Sequence, residues 1–239
     1  MRFHFAFIFL VNFLIAGGIT ADAGLTPPLD RFIFRVQMRT MNMTSMGMDH
    51  TVKAFPIVAA YGLKPGMAVI GRVLFKNTYS KNMNSNTENF MFLVKPRLYR
   101  INTPLYTVGA SGSLGSIYEK GIGASIVAGL QGSLRQGFLA VDLNLESGYT
   151  FSSGNFNTSI NTAVGWLTPL NRSRNMAVSP VIESLISTEN SRNRVVLSPG
   201  AKMTVSSFII ETLYNFTVYE SDKDMSFDSG WLLGIRLMM

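Results

Sequence analysis

Residues 51–77, TVKAFPIVAAYGLKPGMAVIGRVLFKN, hold two apolar runs joined at Lys64-Pro65-Gly66. Proline pre-sets φ at a turn and glycine supplies a positive φ, so the joint reads as a tight hairpin. In the first run Val52, Ala54, Pro56, Val58 and Ala60 share one parity, and Lys53, Phe55, Ile57, Ala59 and Tyr61 share the other. In the second run Val69, Gly71, Val73 and Phe75 oppose Ala68, Ile70, Arg72, Leu74 and Lys76. Both faces are largely apolar, and each run carries charge on one parity only. A half-buried soluble hairpin alternates more cleanly. A strand with one face in lipid and the other in a lumen gives this pattern.

The same period-2 pattern, broken by turn residues, continues along the chain. Strands are expected at 31–41, on both sides of the 64–66 turn, and at 89–100, 104–114, 121–131, 138–150, 156–167, 175–187, 194–204, 208–219 and 227–239. That makes twelve. An even antiparallel set can pair its first and last strands and leave no edge. The predicted fold is all-β, an antiparallel transmembrane β-barrel of about 12 strands. Outer loops are expected at 42–50, 78–88, 116–120, 152–155, 189–193 and 220–226, with both ends of the barrel at the periplasm. Pro56, Pro96, Pro180 and Pro199 lie inside strands and are expected on the lipid face. In the last strand Phe227, Trp231, Leu233, Ile235, Leu237 and Met239 share a parity. Such a strand resembles the C-terminal signal read by the barrel-assembly machinery, and departs from it by ending in Met239 rather than an aromatic residue.

Projecting the polar parity inward lines the lumen with Arg35, Arg39, Lys53, Arg72, Lys76, Lys95 and Arg97 from the early strands. Asp142, Glu146, Glu183 and Glu211 follow from later ones, and Arg194, Lys202 and Arg236 return the basic sign near closure. Two readings stay open. The charges line a path with opposed basic and acidic walls that orients polar or anionic solutes. Alternatively they pair across a narrow lumen and plug it, and the width of the barrel decides between the two.

Composition narrows the setting. Charged residues make up 15% of the 239 residues, against a typical ~25%. So few charges cover a soluble surface poorly. Beyond the N-terminus no run approaches the ~20 apolar residues of a membrane helix. Arg2, the apolar stretch 3–15 and Ala21-Asp22-Ala23 read as a signal peptide cut after Ala23, leaving 24–239 as the barrel and an outer-membrane destination. There is no cysteine, which excludes a lipoprotein anchor, disulfides and thiol chemistry. The formal charge is +7, but the lysines and arginines are scattered singly. Nucleic acid calls for a clustered patch, so the expected partner is membrane lipid rather than nucleic acid.

Candidate chemistry is sparse. Met38, Met41, Met43, Met46 and Met48 lead into Asp49 and His50. Thioether sulfur suits Cu(I) and imidazole suits copper generally, so Met43, Met46, Met48 and His50 form a candidate copper site in an outer loop. The alternative is adaptable apolar filler at the barrel rim. The histidines are His4, in the signal segment, and His50. A Ser-His-acid site would have to use His50, and no serine joins it in a motif. The chain is not expected to be an enzyme.

The Met-rich 37–50 stretch and the run that follows, with Pro56, Tyr61, Gly62, Pro65 and Gly66, resemble one family. The chain is similar there to outer-membrane transporters grouped under the meta-pathway of phenol degradation. The resemblance covers about 40 residues and implies passage of hydrophobic or aromatic compounds. The expected function is an outer-membrane channel or transporter for small solutes. The alternatives are a copper-binding outer-membrane protein and a closed structural barrel.

Overall fold

A computed structural model describes residues 27–45, 48–80, 84–170, 176–189, 192–221 and 225–239. The signal segment 1–23 lies outside the described residues. Among the described residues the chain forms β1 (Phe32–Ser45), β2 (Met48–Lys64), β3 (Met67–Ser80), β4 (Asn84–Asn102), β5 (Tyr106–Glu119) and β6 (Gly123–Gln136). It continues through β7 (Leu139–Thr150), β8 (Asn155–Trp166), the two-residue β9 (Thr168–Pro169), β10 (Met176–Glu189), β11 (Arg192–Val205), β12 (Phe208–Glu220) and β13 (Met225–Met238). Each long strand pairs antiparallel with the next; β10 takes both β8 and β9 on one side. The twelve long strands close into a barrel because β13 pairs with β1 from Ile33↔Met238 to Ser45↔Met225. The seam ends in reciprocal bonds: Phe32 N–H to the Met239 carbonyl and Met239 N–H to the Phe32 carbonyl, both 2.9 Å. Every edge is paired, which is what a sheet in hydrocarbon requires.

Side-chain parity separates two environments. Phe34, Val36, Met38, Phe92, Leu130, Leu143, Ile182, Ile210, Trp231, Leu233 and Ile235 point outward and are exposed. They form an apolar belt around the barrel. Gln37, Lys95, Arg135, Asp142, Glu183, Lys202 and Glu211 occupy the other parity and are buried. Apolar outside and charged inside is the inverse of a soluble barrel, and it places this one in an outer membrane. The termini define the periplasmic end. There the turns are tight: Pro65-Gly66, with Gly66 at φ 84°, Gly137-Phe138, with Gly137 at φ 56°, and Ser206-Ser207.

The other end differs from expectation. Instead of long outer loops at 42–50 and 78–88, β1 runs on to Ser45, β2 begins at Met48, β3 reaches Ser80 and β4 begins at Asn84. Strands of 12–19 residues exceed the ~9–11 that cross a membrane, so the ladders project past the apolar belt. Polar Asn, Ser and Thr in that region read as loop in sequence. In space their backbones still pair, as Asn77↔Asn86 and Thr78↔Ser85 do. The turn expected at Ser133–Gln136 is also strand, so the chain reverses one step later.

The first hairpin needs a second correction. Pro56 is buried with Val52, Ala54 and Ala60 on the lumen side of β2, while Lys53 points outward and is exposed. The register settles this, because lumen-facing Arg35 pairs with Val58 and Arg39 with Ala54. Pro96, Pro180 and Pro199 do face lipid. Lys53 lies level with Thr40 and Asn77, at the top of the belt, with its ammonium 5.5 Å from the ring centre of Tyr79. A lysine there lays its stem on the barrel and keeps its charge in the headgroup layer. With both parities of β2 apolar, the single charge was the only sequence guide to facing, and it pointed the wrong way.

Candidate functional site in the barrel lumen

Alternation along each strand sets the inner wall. Apolar side chains fill part of the lumen. Ala140, Leu167, Ala177 and Ile209 pack with Met238, joining β7, the chain after β8, β10, β12 and β13 near the periplasmic mouth. On the other wall Ala60, Ile70, Leu93 and Val127 cluster with Ile33, Val58, Met91 and Ile117.

Within this filling lies a charged layer. Glu211 is fully buried and ion-pairs with both Arg236 and Arg35, the latter at 3.5 Å. Gln37 donates to the same carboxylate at 3.2 Å, and Lys202 is its cross-strand partner. A second centre forms on β6 and β7, where Arg135 meets Asp142 at 2.6 Å. Arg135 also donates to the Val141 carbonyl at 3.0 Å, and Ser133 donates to Asp142 at 2.5 Å. Lys202 links the two: its ammonium is fully buried and meets no hydrogen-bond partner among the described residues, while the charges of Glu211, Asp142 and Glu183 act on it. Gln131 extends the network, bonding to Ser111, Ser113 and Asn144 at 2.8–3.2 Å. In a medium without water such groups are tolerated only when charge and hydrogen bonds are met from within.

Above this layer the charged lining is less buried. Arg72, Glu119, Glu146 and Arg194 are half-buried and Lys76 is exposed. Arg39 leans towards the periplasmic end and donates to Gln37 at 2.9 Å. It feels Arg72 and Arg35 on its own side, and Glu183 and Glu211 from β10 and β12. Arg72 in turn feels Glu146 and Glu119. Arg39, Arg72 and Lys76 sit on β1 and β3 and Arg194 on β11, while the acidic groups stand on β5, β7 and β10.

Of the residues projected inward from sequence, Lys53 alone faces out. Arg97 sits at the periplasmic mouth, its backbone N–H bonded to the Gly66 carbonyl at 2.5 Å. Sequence reasoning missed Arg135, placed in a turn, and Glu119, placed in a loop. Their signal was a strand pattern running two to five residues further than the breakers suggested. Gln37, Gln131 and the lumen serines carry no charge and so drew no attention.

The candidate copper ligands are partly visible. Met43 and His50 are direct cross-strand partners on β1 and β2. They stand on paired strands rather than in the expected loop. Met46 and the side chain of Met48 lie outside the described residues.

No family model matches the chain, and no curated protein matches it in sequence. Solved structures do match in fold. An outer membrane channel from Pseudomonas putida F1 aligns over 94% of this chain and 100% of its own, with a TM-score of 0.66 and 10% identity. The β domain of the Bordetella autotransporter BrkA aligns over 87% and 99%, with a TM-score of 0.58 and 13% identity. The KdgM porin aligns over 85% and 98%, with a TM-score of 0.54 and 9% identity. At these identities the shared property is the closed outer-membrane barrel.

Proposed function

We propose that this protein is an outer-membrane channel for small solutes. The observation that carries the reading is the graded burial of the lumen charges: half-buried Arg72, Glu146 and Arg194 and exposed Lys76 stand above a buried layer of paired charges. A barrel serving only as structure has no need of half-buried arginines facing an opening, since each costs free energy to hold away from bulk water. Lumen-facing basic residues include Arg35, Arg39, Arg72, Lys76, Lys95, Arg97, Arg135, Arg194, Lys202 and Arg236; the acidic ones include Glu119, Asp142, Glu146, Glu183, Glu211 and Glu220. The excess of basic over acidic groups favours anions over cations in the path. The hydrophobic or aromatic solutes implied by the family resemblance fit this lumen best when they also carry a negative charge.

Purified barrel in a planar bilayer tests the proposal. Discrete conductance with a reversal potential set by the anion gradient is expected. A barrel that folds and inserts but passes no current under any ion gradient would overturn it.

A second reading has one observation behind it, the Met43–His50 pair on adjacent strands. A thioether and an imidazole side by side are suitable ligands for Cu(I). Titration with Cu(I) should then show an affinity lost in Met43→Leu/His50→Ala, and equal affinity in the two proteins would end this reading.

A further inference from the structure

The lumen arginines divide into two kinds. Arg35, Arg236 and Arg135 each meet a carboxylate. Arg39 and Arg72 do not: among the described residues neither has an ion pair within 4.0 Å, and the Nε of each is buried without a hydrogen-bond partner. The side-chain contact made by Arg39 is to Gln37, which is neutral. Two guanidiniums on the same wall, with donors left over, form a binding half whose complement is missing.

The register places them. Arg35 pairs with Val58 on β2, and Val58 pairs with Arg72 on β3. Arg39 starts four residues further out on β1 and leans back towards this row. Between the arginines the wall consists of Val58, Pro56 and Leu74, with Pro56 and Leu74 paired across β2 and β3. No side chain on the lumen face of β2 is charged between Val52 and Gly62. The floor between the guanidiniums is therefore apolar, and the acidic groups Glu146 and Glu183 stand on other strands.

We infer that Arg39 and Arg72, above the apolar floor of Val58, Pro56 and Leu74, form a binding site for the carboxylate of a small organic anion with an apolar body. This rests on the channel reading and refines it by naming a site and a solute class. A planar guanidinium fork matches a carboxylate in two parallel hydrogen bonds, and two forks that repel each other are relieved by one shared anion. The floor of the site is continuous with the apolar filling, because Val58 also packs against the cluster of Ala60, Ile70, Leu93 and Val127. The floor selects for an apolar body, because phosphate or chloride would leave it uncovered.

Equilibrium binding tests the site without requiring conduction. Benzoate is titrated calorimetrically into folded barrel in detergent micelles, with phosphate as a second arm. Wild type should bind benzoate more tightly than phosphate. Arg39→Gln and Arg72→Gln should each weaken benzoate roughly tenfold, the equivalent of one charge-assisted contact, and the double variant should abolish binding. Lys53→Gln removes the same charge from the outer face and should change nothing. Arg72→Lys keeps the lumen charge but loses the fork, and is the variant to use if Arg72→Gln fails to fold. Absence of benzoate binding to wild type, or equal affinity in the double variant, overturns the site. Tighter phosphate than benzoate overturns the apolar part of it. Binding without bilayer conductance would sink the channel and leave the site standing; conductance without binding would do the reverse.

Discussion

Replacing Glu211 by glutamine should be the most damaging single charge change in this barrel. The carboxylate is fully buried and contacts Arg236, Arg35 and Gln37, with Lys202 opposite on β11. Glutamine keeps the volume and removes the one negative charge that three cations share. Removing one partner of a buried ion pair costs about 3–5 kcal/mol, because the remaining charge is left in low dielectric. Arg35 is 18% exposed and can turn partly to the lumen, which moves the expectation to the lower end, about 3 kcal/mol. Urea unfolding of barrel in lipid vesicles measures this. Trp166 and Trp231, both exposed on the outer face, report the loss of the lipid environment. Adding Lys202→Met to Glu211→Gln removes an uncompensated cation and should return about 1–2 kcal/mol of that loss. By the same logic Lys202→Met alone should cost little, since Glu211 keeps both arginines. A loss below about 1 kcal/mol for Glu211→Gln, or a larger cost for Lys202→Met alone, would refute the view that Glu211 organises the layer.

Other outcomes follow from geometry. Gly115→Ala places a Cβ 1.9 Å from the Phe92 carbonyl oxygen and 2.7 Å from Leu93 Cδ2, so it should cost about 1–3 kcal/mol and retard folding in a heat-modifiability gel assay. Gly71→Ala, with nothing within 4 Å of its Cβ, should stay within about 0.5 kcal/mol of wild type. Lys53→Gln should leave single-channel conductance and ion selectivity unchanged, whereas Arg72→Gln should shift the reversal potential towards cations. Equal shifts in the two variants would contradict their placement on opposite faces.

The architecture was legible because it rests on a repeated physical requirement. A strand between lipid and lumen must alternate, and turn chemistry marks where it reverses, so twelve strands, their order and closure could be read from pattern. Facing was legible wherever a strand carried two or more charges on one parity and none on the other: β1, β3, β7 and β11 followed that rule. It failed on β2, whose lumen face from Val52 to Gly62 holds only Val, Ala, Pro and Gly. There Lys53 drew the assignment to itself, although a long amphipathic side chain at the belt's edge reaches headgroups from the outer face. Strand ends were hidden for a different reason. Outside the membrane a ladder needs no apolar residue, so polar pairs such as Thr78↔Ser85 look like loop. That omission concealed Arg135 and Glu119.

Whether the lumen charges line a path or plug it has an answer that depends on height, and sequence contains no coordinate for height. Arg35, Lys202, Glu211 and Arg236 alternate with their neighbours in the same way as Arg39, Arg72 and Lys76. What separates them is which strand stands opposite at their level. Near the periplasm, acid faces base at contact distance: Glu211 is met by Arg236 and Arg35, and Asp142 by Arg135. Beside them, Arg72 on β3 and Arg39 on β1 flank the uncharged run of β2, and the acids of β5 and β7 stand further round the wall. Pairing therefore fills the lower lumen and leaves the upper lumen with basic groups to spare. On the proposed channel reading, path and plug describe two levels of one barrel, and a selective step falls at their boundary, where Arg39 donates to Gln37 of the paired layer.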